Sequence, residues 1–374
     1  MRRSYPDIGT ATSASLSIAF PAMSVPELLT NLLTAAGPSG HETAAAKAWR
    51  DGCAGFAADV GSDHLGSSYA RVPGTADGPK LAIVGHIDEI GLHISHIDDQ
   101  GYLHFGEVGG WDSVVLVGQR MRIDTQNGPV TGVIGRKAIH LIKDEERKKV
   151  PEIKDLHIDI GAKDADEAHG LVRIGDVAVI DANPIELRHG RVVSRALDNR
   201  VGCYVAAEAA RLVADAGGAP GDVLAFAVVQ EETTFAGART SAFYHQPDLA
   251  IVVDLTHATD QPGVELGPIT KHPMDSGAVI GRGTTLHPRL FELLHKAATD
   301  ESIPFTVESL GRGTGTDADA IHFSRAGVPT GLVSVPCRYM HSPVEMVSVA
   351  DIDAAAKLIA AFAKLLEPGM SFLR

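Results

Sequence analysis

Four charge-free, largely apolar runs constrain what this chain can fold into: Leu81–Val84, Val223–Val229, Leu249–Val253 and Thr330–Val335. Unbroken apolarity, as opposed to alternation, marks a strand covered on both faces, as in the centre of a sheet sandwiched by helices. Helical patterning supplies the covering layers: Ser24–Leu33, about His41–Phe56, Arg200–Ala216, Pro288–Asp300, about Asp317–Ala326 and Val349–Leu366. Between about Leu92 and Ser194 this alternation stops. Short apolar runs at Val114–Val117, Val130–Ile134, His157–Ile160 and Val177–Ile180 are separated there by glycines and charged turns, the pattern of a β-rich unit. An α/β domain interrupted by a β-rich insertion is the simplest account, and 374 residues suffice for both.

Composition removes several function classes. Lys plus Arg, 33, against Asp plus Glu, 47, leaves a net charge of -14, which disfavours nucleic acid and anionic membrane as partners. No apolar run approaches the roughly 18 residues of a membrane span. Cys53, Cys203 and Cys337 lie far apart and form no C-x-x-C pair, so buried thiols in a reduced, cytoplasmic setting are expected. Arg2 and Arg3 before Ser13–Ala22 resemble a signal peptide, but Asp7 and several serines interrupt it, and residues 1–22 read as a loose extension. Ser24, Pro26 and Glu27 form a capping box that should start the folded chain.

The chemistry lies where the charge-free runs end. Leu81–Val84 leads into Gly85-His86-Ile87-Asp88-Glu89, Val223–Val229 into Gln230-Glu231-Glu232, Leu249–Val253 into Asp254, and Thr330–Val335 towards His341. Asp198 joins them from Ala196-Leu197-Asp198-Asn199-Arg200 before a helix. Open α/β sheets bind ligands beyond the carboxyl ends of their strands, so these histidines and acids converge on one crevice. Imidazole and carboxylate together suit Zn, Co or Mn better than Ca or Mg. The supply exceeds one tetrahedral site and matches two ions sharing a carboxylate. Asp88 is spaced to hold the second ring nitrogen of His86, and one of the paired glutamates can remain free as a general base.

At these residues the sequence resembles the tetrahedral (TET) aminopeptidases, dinuclear metallopeptidases also described as glutamyl or deblocking aminopeptidases and, historically, endoglucanases. The resemblance spans roughly Ser24 to Leu366 and also includes Gly315-Thr316-Asp317-Ala318 and Arg338-Tyr339-Met340-His341-Ser342-Pro343-Val344-Glu345. It implies a three-layer α/β/α metallopeptidase domain, residues 23–91 and 188–374, with a mixed central sheet. A β-barrel or PDZ-like dimerisation domain, residues 92–187, would interrupt it. It implies that Asp198 bridges two divalent ions, Zn or Co with Mn as an option. His86 and Asp254 would complete one site, and Glu232 and His341 the other. Glu231 is then the general base and Asp88 its catalytic companion acting through His86, with Arg338 and Thr316 as substrate contacts. Short peptides are the implied substrates, and a homodimer assembling to a tetrahedral dodecamer is the implied state. Where the family usually continues with Val-Gly after its two glutamates, this chain has Thr233-Thr234-Phe235-Ala236, and Asn199 stands where an acid is frequent.

Three rival readings compete with this one. Gly311-Arg312-Gly313-Thr314-Gly315 after strand Phe305–Glu308 has the order of a phosphate cradle, with the spacing of neither common nucleotide fingerprint. An N-acyl amino acid deacylase or carboxypeptidase would use the same two metals on another bond. A non-catalytic scaffold on this fold would bind metal without turnover.

Overall fold

The computed structural model describes residues 25–374 apart from residues 144, 146, 147, 266, 268 and 269. Ser24 and the leader-like stretch lie outside the described residues. The first helix, Glu27–Thr34, has Pro26 as its N-cap and no side-chain cap, so Pro26 precedes the first turn instead of lying within it. A second helix, Thr43–Cys53, leads to strands β1 (Asp59–Ser62), β2 (Ser68–Val72) and β3 (Leu81–His86).

The chain then leaves the sheet. Strands β4 (Gly91–Ile97), β5 (Leu103–Val108), β6 (Arg120–Asp124), β7 (Val130–Ile134), β8 (Ile158–Asp159) and β9 (Val177–Ile180) close into a barrel in the order β4-β5-β8-β7-β6-β9. Its interior is aliphatic, with Leu92, Ile94, Leu103, Met121, Ile123 and Ile158 fully buried. The run Val114–Val117, expected as β, belongs instead to the short helix Ser113–Leu116. Asp112 decides this by accepting the Val114 amide at 2.9 Å as an N-cap.

Strands β10 (Ile185–Leu187) and β11 (Arg191–Ser194) follow the barrel, and helix Leu197–Asp215 returns the chain to the main body. Strands β12 (Val223–Val228), β13 (Leu249–His257), β14 (Ala278–Gly283), β15 (Phe305–Leu310) and β16 (Thr330–Cys337) then complete an eight-stranded mixed sheet, ordered β1-β2-β12-β3-β13-β16-β14-β15. A last strand, β17 (Glu345–Ser348), pairs with β11. Side chains alternate faces along each central strand. Leu81 and Ile83 pack with helices Leu197–Asp215, Pro288–Asp300 and Val349–Lys364, whereas Ala82 and Val84 pack with Ala236–His245 and Ala318–Ile321. The result is the expected three-layer α/β/α arrangement. The helix expected from Asp317 to Ala326 is a single turn, Ala318–Ile321.

The four central strands β12, β3, β13 and β16 are adjacent and mutually parallel, so their carboxyl ends share one edge. Helix Leu197–Asp215 meets that edge closely, because a methyl group at Gly85 would collide with the Gly202 backbone. Glycine at 85 lets β3 and the helix approach at backbone distance, and this brings Asp198 up to His86; glycine at 202 instead leaves room for the Asn199 side chain.

Candidate metal centre

His86, Asp198, Glu231, Glu232, Asp254 and His341 all line one cleft of about 460 Å³ at the carboxyl edge of the sheet. Asp198 is central. Its Oδ1 lies 3.3 Å from His86 Nε2 and its Oδ2 lies 3.6 Å from His341 Nε2, so each oxygen faces a different imidazole. Three overlapping donor sets result: His86, Asp198 and Asp254; Asp198, Glu232 and His341; and His86, Glu231 and Glu232. Atoms sharing an ion at about 2.0–2.1 Å in tetrahedral geometry stand roughly 3.3 Å apart, close to the spacing seen here.

The surroundings fix these donors. His341 Nδ1 donates to the Gly110 carbonyl at 2.9 Å; a carbonyl can only accept, so Nε2 keeps its lone pair for the cleft. Gly110 follows β5, so the barrel segment itself orients a donor of the main body. Asp88 is fully buried, and its oxygens accept the amides of Glu231 at 3.0 Å and Glu232 at 3.1 Å and the hydroxyl of Ser39. Asp88 Oδ1 also lies 3.3 Å from His86 Nδ1, without a well-aligned hydrogen bond. Glu345 accepts the amides of Asp198 at 3.1 Å and His341 at 2.9 Å, pinning the backbone under two donors. Ala196, Gln230, Phe235, Tyr339 and His341 all take left-handed backbone around the cleft, at a cost of order 1 kcal/mol or more each.

The charges do not balance. Burial first, and then the neighbouring acids Asp254, Asp317 and Glu232 against the pull of His86, raise the Glu231 carboxyl to about 10. Burial and the charge of Asp198 likewise lift Asp254 and Glu232 well above the carboxylate range. The buried His86 imidazole is held well above its usual value, because Glu231, Asp198 and Asp88 outweigh its desolvation. Asp88 alone among these acids is lowered: burial opposes its charge, but His86, Ser39 and the Glu231 amide prevail. Several carboxylates gathered where they cannot all ionise call for cations, and nitrogen and oxygen donors at this spacing fit first-row divalent ions.

The M42 glutamyl aminopeptidase model matches residues 66–358, a span that contains every donor of the cleft. The chain belongs to the M42 glutamyl aminopeptidase family. It is 34% identical over 349 residues to a lysyl aminopeptidase of Pyrococcus furiosus, covering 91% of this chain and 97% of the relative. Among solved structures it is similar to a TET aminopeptidase from a marine sediment archaeon of the Thaumarchaeota, with TM-score 0.86 and 35% identity over 91% of this chain and 96% of that one. It is also similar to the TET1 peptidase of Pyrococcus horikoshii, which can assemble into a tetrahedron or a large octahedral shell. The TM-score there is 0.79, with 31% identity over 90% of this chain and 98% of that one.

Other expected residues of this M42 protein are placed differently from one another. Thr316 lines the cleft and bonds Thr314 Oγ1 at 2.9 Å. Arg338 does not line it; its guanidinium pairs with Asp260 through contacts of 3.1 and 2.6 Å. The phosphate-cradle reading fails on geometry. Thr314 and Gly315 donate their amides at 2.8 Å to the Asp319 carboxylate, so the loop already holds an anion of its own. Phe235, in the stretch that departs from the family pattern, forms part of the cleft wall. Glu345 and Gly110 also serve the site, although the sequence reading gives neither a role there. The first belongs to the quoted Arg338–Glu345 motif, and the second leaves no sequence signal because it acts through its carbonyl.

Proposed function

We propose that this M42 protein is a metal-dependent aminopeptidase that uses two divalent ions, Zn or Co with Mn as an option, to remove N-terminal residues from short peptides. The carrying observation is Asp198, whose two oxygens face two separate imidazoles at 3.3 and 3.6 Å. His86, Asp198 and Asp254 would hold one ion, and Asp198, Glu232 and His341 the other. Ions bound there supply Lewis acidity and a water acidified towards neutrality.

The remaining steps belong to the chain. Glu231 is 8% exposed, its Oε2 lies 3.7 Å from His86 Nε2, and it groups with His86 and Glu232, one member of each donor set. It takes the proton from the water that attacks the first peptide carbonyl and returns it to the nitrogen of the leaving amine. With cations held beside it, the Glu231 carboxyl would fall from its raised value towards one that can accept a proton. Asp88 acts as a positioning residue, tying the His86 ring to the Glu231–Glu232 turn.

The barrel segment, residues 92–187, is the homodimer unit in this reading. Val114, Leu141 and Val150 are 52%, 67% and 64% exposed there, apolar surface that a partner copy would cover. Dimers then build a tetrahedral dodecamer. Residues 23–91 and 188–374 form the catalytic domain. A reduced, cytoplasmic setting accords with three free buried thiols, Cys53, Cys203 and Cys337. Among the described residues no helix is long and apolar enough to cross a membrane.

Elemental analysis tests the metal assignment. Two ions per wild-type chain and fewer than one in Asp198→Ala are expected, because the bridge is shared. Full retention by the variant would refute bridging.

A further inference from the structure

Two ions and a general base act on the peptide bond whatever the first side chain, so selectivity has to come from the rest of the cleft. Besides the metal-centre residues, the cleft lining includes Thr256, His257, Glu308, Leu310 and Phe235. Glu308 lies on the edge strand β15, and its Oε1 accepts the hydroxyl of the buried Thr256 at 2.9 Å. Its Oε2 has no ion-pair partner among the described residues, and no Lys or Arg lines the cleft among them. We propose that Glu308 is a specificity-determining residue that selects peptides with a cationic first side chain, lysyl or arginyl, and rejects glutamyl ones. This rests on the aminopeptidase reading above.

Three physical points support it. First, burial raises the Glu308 carboxyl while Thr256 and His257 hold it down, so its charge lacks a full counterpart inside the cleft. An ammonium or guanidinium arriving there restores the balance, in a half-buried setting where charge-assisted hydrogen bonds are strong. Second, Leu310 and Phe235 offer apolar wall for the methylene stem of a lysine or arginine. Third, an acidic first side chain would enter a cleft that already holds Glu308 and whose described lining has no Lys or Arg, a like-charge penalty that discriminates by repulsion.

The competing role for Glu308 is to meet the substrate's α-amine, and a selectivity ratio separates the two. The experiment measures kcat/KM for the p-nitroanilides of lysine, norleucine and glutamate with the Zn- or Co-loaded wild type, Glu308→Gln and Glu308→Lys. Binding of lysine amide and norleucine amide is followed alongside by calorimetry. The wild type should favour lysyl over norleucyl substrate. Glu308→Gln should shrink that ratio by roughly tenfold to a hundredfold, the scale of one hydrogen bond to a charged group. Glu308→Lys should bring glutamyl hydrolysis above lysyl. Calorimetry should show lysine amide losing its advantage over norleucine amide in both variants. Equal loss on all three substrates, or an unaltered ratio, would overturn the assignment. Hydrolysis of norleucyl substrate with no lysyl preference in the wild type would overturn this inference alone. No hydrolysis of any anilide by metal-loaded wild type would overturn the aminopeptidase reading and this inference with it.

Discussion

In the proposed mechanism, position divides the carboxylates of Asp198 and Glu231 between two jobs. Asp198 presents an oxygen to each imidazole, whereas Glu231 stands beside the same donors with a strongly raised carboxyl. Glu231→Gln keeps shape and hydrogen bonding but cannot move a proton. It should therefore retain wild-type metal content while turnover falls at least about a hundredfold, the usual scale for a lost general base. Elemental analysis beside steady-state kinetics checks both halves, and near-normal turnover would remove Glu231 from the role. The donors were legible in the sequence because each follows a strand that carries no other charge, so an acid or histidine there stands out. Glu345 and Gly110 were less so: one works by accepting amides of Asp198 and His341, the other by a carbonyl. Neither contact follows from residue type.

At the scale of elements, a buried cation–anion cluster sits beneath the site. Glu89, Arg195 and Arg200 are all below 10% exposed; Arg195 and Arg200 both pair with Glu89, and Arg200 also donates to the Leu32 carbonyl at 2.6 Å. This joins the first helix to helix Leu197–Asp215. Removing one partner from such a cluster strands the others, so Glu89→Ala should destabilise the fold by about 3–5 kcal/mol in denaturant unfolding. A loss under about 1 kcal/mol would mean that the cluster relaxes into water. Strands β3, β12, β13 and β16 were readable because burial on both faces leaves an unbroken apolar signature. Strand β14 was missed: its Ala278-Val279-Ile280 core is brief and runs into Gly281-Arg282-Gly283, which imitates a turn. The helical pattern expected from Asp317 to Ala326 continues in the residue types, but the chain coils only over Ala318–Ile321 and turns away through Arg325, whose backbone is left-handed at φ 56°.

For the whole molecule, metal and proton compete for the same acids. In the metal-free protein Glu231 rises to about 10 and Asp317 to about 7, from ordinary values of 4.5 and 3.8. A carboxyl whose folded value is raised gives stability that is complete below its unfolded value and is lost as pH climbs through the folded one. The melting temperature of chelated protein should therefore fall as pH climbs from 4.5 through about 7 and on towards about 10, and the gain on adding Zn or Co should grow over that range as the ligands lose protons. Differential scanning calorimetry would read this, and a chelated protein that becomes more stable as pH rises would contradict it. Assembly belongs to this scale too: under the proposed barrel-segment dimer, Leu141→Asp with Val150→Asp in the connection between β7 and β8 should give monomers on light scattering, whereas an intact large particle would place the dimer interface elsewhere. The barrel was legible as a change of pattern, but its contact with His341 joins residues far apart in sequence and leaves no local trace. The most direct measurement is mass spectrometry of a panel of short peptides with free or acetylated N-termini, incubated with protein after chelation and again after return of Zn, Co or Mn. Stepwise loss of N-terminal residues, from free amines and only with metal, is the expected result. Removal of acetyl groups or C-terminal residues instead, or no cleavage with any metal, would contradict the account.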